Sequence, residues 1–145
     1  MEKILKEFAV RKLKEPADDR IDSDIAWICS SLGFLTPRDR DQTAFKILKA
    51  LIEAAREGKG LSSEELSQLV RPTIGSVIYH LKRLMKSGLV VKLNSSYELR
   101  MGSLLTTVEE VEKDVTATFS RIKMVADDID KKMGLMRRSL NRAAY

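Results

Sequence analysis

The sequence predicts a mainly α-helical fold that carries one small β-hairpin and ends in a long coiled-coil helix. Three observations support this prediction. Glycine and proline are scarce, seven and three in 145 residues, and they lie where helical patterns stop. Between residues 73 and 100 the spacing of apolar residues changes from helical to alternating. Beyond Leu104, apolar residues recur at heptad spacing over more than four repeats.

Composition and charge narrow the class of protein. The hydrophobic fraction of 43% allows a core to form, and the net charge of +5 favours a polyanionic partner. Cys29 is the only cysteine, so no intrachain disulfide can form, and its apolar neighbours favour a small buried hydrophobe. No apolar stretch reaches the ~20 residues of a membrane span, and the charged start "MEKILKEF" is not a signal peptide. We therefore expect a soluble, cytoplasmic protein.

The N-terminal part of the chain is predicted to be helical. The segment "EKILKEFAVRKLKE" has roughly helical apolar spacing and stops at Pro16. A second helix is expected to begin near Asp22 and to stop at Gly33. Residues 1–35 are therefore assigned to N-terminal helices that pack on the core or on a dimer interface.

Capping signals define the next two helices. Thr36 as N-cap and Pro37 at the first helical position predict a helix of about 20 residues. Ser62 and Glu65 have the spacing of a capping box, which predicts the start of a short helix. Pro72 then predicts a tight turn before the following segment.

Residues 73–100 combine a basic amphipathic helix with a hairpin. Residues 73–87 place one apolar stripe on Ile74, Val77, Leu81 and Leu84. The opposite face carries Gly75, Ser76, Tyr79, Lys82, Arg83 and Lys86. No carboxylate occurs between Glu65 and Glu98, an interval that holds five cations. Alternating apolar residues on both sides of the turn residues 94–96 predict a β-hairpin.

A short helix, a tight turn, a basic helix and a hairpin together describe a winged helix-turn-helix. The stretch "SSEELSQLVRPTIGSVIYHLKRLMKSGLVVK" resembles the winged helix of ArsR- and MarR-like regulators, including archaeal ones. The matching residues are Val77, His80, Leu81, Lys82, Leu84, Gly88, Leu89 and Val90. Ile78 departs from the serine or threonine that is usual there. The resemblance covers about residues 36–100 and implies a DNA-binding domain, assigned to residues 36–102, with a recognition helix at 73–87 and a wing at 89–100.

The resemblance also implies which residues contact DNA. It makes Thr73, Ser76, Tyr79 and His80 base or phosphate contacts, makes Arg83 a phosphate contact, and assigns residues 92–96 to the wing. Together with the basic helix face, the expected DNA-binding set is Thr73, Gly75, Ser76, Tyr79, His80, Lys82, Arg83, Lys86, Lys92, Asn94, Ser95 and Ser96. Two alternatives stay open. His80 can be a phosphate contact or a hydrogen-bonded flank residue, and the whole domain can be a protein-interaction scaffold whose cations are merely solvated.

Residues 103–145 are predicted to form a dimerisation helix. The expected dimer interface is Val108, Val111, Val115, Phe119, Ile122, Val125, Ile129, Met133 and Met136. A helix of about 35 residues spans roughly 50 Å, so the seam favours a second copy of the chain over folding back on its own domain. β-Branched seam residues favour parallel pairing, but acidic residues near the start of the helix and basic residues near its end favour antiparallel pairing, which is the direction we expect.

Metal and catalytic chemistry are not indicated. One cysteine and one histidine do not provide the three or four ligands that a metal site needs. No phosphate-binding glycine loop and no recognisable nucleophile motif occurs in the sequence. We expect no enzyme activity, no cofactor and no metal, and nothing in the residues specifies a small-molecule effector. The expected function is sequence-specific binding of double-stranded DNA by a homodimeric transcriptional regulator.

Overall fold

The computed structural model describes residues 3–35, 42–70 and 73–138 of the chain. Over these residues the elements are α1 Ile21–Ser31, α2 Thr43–Ala55, α3 Ser63–Val70, α4 Ile74–Lys86, β1 Val90–Leu93, β2 Ser96–Leu99 and α5 Leu104–Met133. The chain divides into two units, one that ends at Glu112 and one that begins at Lys113. The predicted fold class, mainly helical with one hairpin and a long C-terminal helix, is confirmed.

The predicted first helix is wrong, because residues 3–20 contain no helix. Two backbone N–H groups of this segment donate to carbonyls outside it: Glu7 N–H to the carbonyl of Lys86 (3.2 Å), and Arg11 N–H to that of Ser31 (2.7 Å). Most apolar side chains of this segment, such as Leu5 and Val10, are exposed, so it packs little apolar surface on the rest of the chain. A helix of this length without such packing is marginal in water. The N-terminal region thus supplies one helix, α1, rather than several.

The end of α1 follows the sequence signal at Gly33. Gly33 adopts φ 82°, and two backbone bonds close the helix: Gly33 N–H to Ser30 O (3.2 Å) and Phe34 N–H to Cys29 O (2.7 Å). This pair of bonds is the Schellman motif, which favours glycine because of its positive φ. Cys29 is fully buried, as predicted, and burial raises the pKa of its thiol to about 12. The turn also fixes the direction of the Gly33 carbonyl and the Phe34 ring.

Helix α2 is shorter than predicted. It starts at Thr43, and the preceding residue Gln42 has φ 50° and ψ 40°, a left-handed conformation that a continuous α-helix excludes. The helix therefore has 13 residues instead of about 20. The predicted N-cap Thr36 and the following Pro37 lie outside the described residues.

The capping box that opens α3 is present as predicted. Glu65 N–H donates to Ser62 Oγ (3.1 Å), and Ser62 N–H donates to Glu65 Oε1 (3.0 Å). Hydrogen bonds from Ser62 to the Glu65 carboxylate, from its backbone first and its side chain second, lower the pKa of Glu65. The predicted turn residue Pro72 lies outside the described residues.

The core of the first unit lies among α2, α3, α4 and the hairpin, which pack on one another. Its largest fully buried side chains include Ile47, Leu48, Leu51, Leu66, Val77, Leu81, Leu84, Leu89 and Leu99. Ile74, predicted to share the buried stripe of α4, is 43% exposed instead. In β1 the buried residue is Val90, whereas Leu93 is exposed. The pairing Val90↔Leu99 places both of these residues toward the core.

The hairpin is anchored to the segment before α3. Strands β1 and β2 are antiparallel, and Leu61 pairs with Tyr97 through two backbone bonds of 2.8 and 2.9 Å. This pairing brings the chain so close that a Cβ on Gly60 would lie 2.6 Å from the carbonyl oxygen of Tyr97. Glycine at position 60 therefore allows the wing to lie against the helix-turn-helix.

Helix α5 begins with a serine cap and ends at a glycine. Ser103 Oγ accepts from Thr106 N–H (3.2 Å), and Thr107 and Val111 are buried in the first unit. The helix stops at Met133, and Gly134 follows with φ 69°. Met136, predicted to continue the heptad seam, therefore lies beyond the helix.

Candidate nucleic-acid interface

The N-terminal end of α4 presents a polar, uncharged face to solvent. Thr73 is the N-cap, and its Oγ1 accepts from Ser76 N–H (3.2 Å). Gly75 is exposed with open space around it, and the ring of Tyr79 is 59% exposed one turn later. The His80 ring stands edge-on to Tyr79 with their centroids 5.1 Å apart. These residues form a small, accessible surface at the start of a helix.

Cations follow farther along the same helix. Lys82 and Lys86 are exposed on α4 and extend into solvent. Among the described residues, no carboxylate lies between Glu65 and Glu98, so no acidic side chain on α4 or β1 offsets these charges. A cationic helix without neighbouring acids is suited to contact phosphates.

Arg83 differs from these two lysines, because its guanidinium contacts other residues of the chain. Its guanidinium Nη2 donates to the carbonyl oxygen of Gly33 (3.1 Å) across 50 residues of sequence. The same group lies 5.5 Å from the centroid of the Phe34 ring and 5.9 Å from that of Tyr79, within cation–π range. Arg83 therefore links the end of α1 to the exposed face of α4.

The sequence prediction missed Gly33 and Phe34 as partners of Arg83. The glycine was predicted only as a helix stop, and no periodicity relates Phe34 to a position on α4. The C-terminal end of α4 has a further restraint, the bond between Glu7 N–H and the carbonyl of Lys86. Two segments distant in sequence, around Glu7 and at Gly33–Phe34, thus restrain the orientation of this helix.

The hairpin places a small polar tip beyond its strands. Asn94 and Ser95 form the turn and are exposed, and Asn94 has φ 59°, a conformation that asparagine tolerates. Lys92 lies on β1 with its Nζ 5.5 Å from the centroid of the Tyr97 ring. Ser96 is half-buried at the start of β2. The tip is accessible to a partner and carries one cation.

The predicted DNA-binding residues therefore separate by exposure. The exposed ones are Thr73, Gly75, Tyr79, Lys82, Lys86, Lys92, Asn94 and Ser95, and the half-buried ones are Ser76, His80, Arg83 and Ser96. Eight of the twelve lie on α4 or at its N-cap, and four lie on the hairpin.

The predicted dimer residues also fall into two groups. Val108, Val111 and Val115 are buried or half-buried, whereas the residues farther along are exposed: Phe119, Ile122, Val125, Ile129, Met133 and Met136. In the second unit, therefore, an apolar stripe runs along α5 in contact with solvent.

Neither a metal cluster nor a membrane-spanning helix is found in the described part of the chain. No group of three or more histidine, cysteine, aspartate or glutamate side chains there is arranged to hold a metal ion. No helix there is long and apolar enough to cross a bilayer.

The arrangement of α2, α3, α4 and the hairpin defines a winged helix-turn-helix. Residues 40–91 match the model of a family described as winged helix-turn-helix DNA-binding. The match covers about a third of the chain, and it supports DNA binding by this domain. No curated protein and no solved structure matches the chain.

Proposed function

We propose that the protein is a homodimeric transcriptional regulator that binds double-stranded DNA sequence-specifically through α4. The observation that carries the proposal is the exposed face of α4, which is polar at its N-terminal end and cationic farther along. An α-helix fits the major groove of B-DNA, which is about 12 Å wide, and side chains near its N-terminus reach base edges. We propose that Thr73, Ser76 and Tyr79 contact bases and that Lys82 and Lys86 contact phosphates.

The wing extends this contact surface. Lys92, Asn94 and Ser95 are exposed at the hairpin, and we propose that they contact the sugar-phosphate backbone beside the major groove. For His80, both predicted roles stay open. Within winged-helix regulators, the pattern around Val77 and His80 favours the ArsR- and MarR-like group, including its archaeal members.

The dimer is proposed from the exposed apolar stripe of α5. An exposed seam that includes Phe119, Ile122 and Ile129 is unfavourable in water and is stabilised by a second helix. A symmetric dimer presents two recognition helices, so its operator is expected to be pseudo-palindromic, with half-sites one helical turn or a multiple apart.

Selection of DNA from a random pool, followed by anisotropy titrations at several salt concentrations, tests this proposal. Ser76→Ala and Tyr79→Ala are expected to change sequence preference, because they alter the face that meets base edges. Lys46→Ala, which removes an exposed cation from α2, serves as the matched control and should leave preference unchanged. If both α4 variants select the same sequences as the wild-type protein with equal affinity, α4 is not the recognition helix.

A second function is favoured by one observation, the length of exposed apolar surface on α5. In that case the winged helix is a scaffold whose C-terminal helix recruits another protein. A mobility shift on random duplex DNA separates the two functions, because electrostatic binding to any sequence is strong at low salt. Absence of a shift at low salt would favour the scaffold.

A further inference from the structure

A groove lies between α1 and the first turns of α5, wholly within the first unit. It has a volume of about 370 Å³, and the residues that define it include Trp27, Ser31, Leu32, Leu104, Leu105 and Val108. Trp27 Nε1 and Ser31 Oγ are buried, so the accessible wall is apolar. Leu105, at its rim, is 71% exposed. Apolar surface of this kind marks an interaction site.

We propose that this groove is filled in an antiparallel homodimer by residues 129–136 of the partner copy, the last turn of its α5 and the three residues that follow. The inference rests on the homodimer proposed above and adds its direction, its register and the occupant of the groove. Each protomer then completes the other, because the groove of one and the helix end of the other are both uncovered in a single chain.

The register follows from the length of α5 and from its apolar pattern. When two copies of Leu104–Met133 overlap along their whole length in opposite directions, Leu104 lies opposite the partner's Met133. In the same alignment Val108 lies opposite the partner's Ile129, and Val115 opposite the partner's Ile122. Apolar residues therefore meet apolar residues from both ends. A register displaced by one heptad leaves seven residues uncovered at one end of each helix.

Charge favours the same direction. Residues 104–118 contain four carboxylates and one lysine, a net charge of −3. Residues 119–138 contain six cations and three carboxylates, a net charge of +3. A parallel pair places like charges together along both halves, whereas an antiparallel pair places each half beside its opposite.

The side chains at the helix end suit an irregular apolar groove. Met133 is 70% exposed, and Leu135 and Met136 follow it in exposed positions. Methionine is unbranched and polarisable, so it adapts to irregular apolar space. The turn at Gly134, where Leu135 N–H donates to the carbonyl of Asp130 (2.9 Å), directs the chain away from the helix axis after the last seam residue.

Cysteine cross-linking in the full-length chain tests the proposal. Leu105→Cys and Met133→Cys change exposed side chains, so the fold is preserved, which circular dichroism verifies. A short bis-maleimide is added to each variant alone. It is also added to an equimolar mixture of two variants after their subunits have exchanged. Native Cys29 is buried, and the wild-type protein measures any background cross-linking through this cysteine. Lys131→Cys, on the opposite side of α5 from Ile122 and Ile129, replaces Met133→Cys in the matched control.

The expected result is a cross-linked dimer only in the mixture of Leu105→Cys with Met133→Cys. Its yield is at most about half of the chains, because random exchange of a two-fold dimer makes about half of the dimers mixed. Cross-linking of each variant with itself would show parallel helices and overturn the inference. Stronger cross-linking of Leu105→Cys to Val125→Cys than to Met133→Cys would show a shifted register and also overturn it.

Trp27 gives a second readout, because it is the only tryptophan and lies on the groove wall. Its emission is expected to shift to shorter wavelength as protein concentration rises through the dimerisation range, and the shift is expected to be lost in Met133→Lys. Bright fluorescence of the apolar dye ANS on the wild-type dimer would show an open groove that awaits a small apolar ligand, and would overturn the inference.

Light scattering and DNA titrations on the same samples separate the two proposals. A dimer that binds DNA but shows no Leu105–Met133 cross-link keeps the proposed function and overturns this inference. A monomer at all concentrations overturns the inference together with the dimeric part of the proposed function, while DNA binding by α4 is judged independently.

Discussion

Arg83→Ala is expected to destabilise the first unit while leaving the electrostatic part of DNA binding unchanged. The sequence predicted Arg83 as a phosphate contact, but its guanidinium is engaged by Gly33, Phe34 and Tyr79. We therefore propose that Arg83 positions the exposed ring of Tyr79 and joins α4 to the end of α1. The neighbouring Lys82, exposed on the same helix, supplies the matched comparison.

The magnitude follows from the contacts that alanine removes. A hydrogen bond from a charged donor contributes about 1.5–3 kcal/mol, and a cation–π contact at an exposed site about 0.5–1 kcal/mol. Arg83 is half-buried, so solvent compensates part of this loss. We expect the free energy of unfolding to fall by about 2 kcal/mol in Arg83→Ala, and Lys82→Ala to change it by less than about 0.5 kcal/mol.

Two assays measure these effects. Urea unfolding followed by Trp27 fluorescence gives the free energy of unfolding. DNA titrations give the slope of log K against log salt concentration. Lys82→Ala is expected to reduce that slope by about one unit, the effect of one lost phosphate contact, whereas Arg83→Ala is expected to leave it unchanged. Arg83→Lys keeps the charge but not the guanidinium geometry, so it should restore little of the stability.

The opposite pattern would refute the positioning role. If Arg83→Ala unfolds at the wild-type urea concentration, reduces the salt slope by about one unit, and is rescued in DNA binding by Arg83→Lys, then Arg83 is a phosphate contact. Its contact with Gly33 would then be exchanged for DNA on binding.

Three further substitutions or conditions have defined outcomes. Gly60→Ala is expected to lower the free energy of unfolding by about 1–3 kcal/mol, because the added Cβ would clash with the carbonyl of Tyr97; Gly75→Ala, which meets nothing within 4 Å, should not lower it in the same urea titration. Because the pKa of Glu65 is lowered in the folded state, its contribution to stability is complete above the unfolded value of about 4.3 and is lost as pH falls through the folded value. In an acid titration, Glu65→Gln should lack this loss of stability. Identical acid unfolding curves of Glu65→Gln and the wild-type protein would contradict the prediction. The Cys29 thiol, with its pKa raised to about 12, should not react with a thiol reagent at about pH 8 until urea unfolds the protein, whereas fast reaction of the native protein would show that it is accessible. Because the thiol ionises above about pH 8.5 only when the chain is unfolded, stability is also expected to decline as pH rises from about 8.5 toward 12.

Features that depend on neighbouring residues could be predicted from the sequence. The capping box of α3 requires only Ser62 and Glu65 at the correct spacing, and both hydrogen bonds are present. The end of α1 requires a glycine that tolerates positive φ, which Gly33 supplies. Helix α4 combines a buried apolar stripe with an exposed polar face, so its period alone identified it.

Features that depend on contacts between distant residues could not be predicted in this way. Apolar residues in residues 3–15 have roughly helical spacing, yet most of them are exposed, and the backbone donates to the ends of α1 and α4 instead. The predicted start of α2 relied on Thr36 and Pro37, and nothing local marked the left-handed backbone at Gln42. The contact of Arg83 with a carbonyl 50 residues away could not be predicted from charge alone, whereas its predicted phosphate contact stays a prediction.

The restraints on α4 have a consequence for the limits of the DNA-binding domain. Thr73 caps the helix from within the matched region of residues 40–91, but Gly33 and Glu7, which hold Arg83 and the carbonyl of Lys86, precede that region. A fragment that begins at residue 36 keeps every exposed cation of α4 and the hairpin yet lacks two of these three restraints. We expect its salt slope to match that of the full chain, because the phosphate contacts are the same, while its affinity and stability fall because the helix is less firmly oriented. Equal stability and affinity in the fragment would show that the segment before residue 36 has no part in positioning the recognition helix.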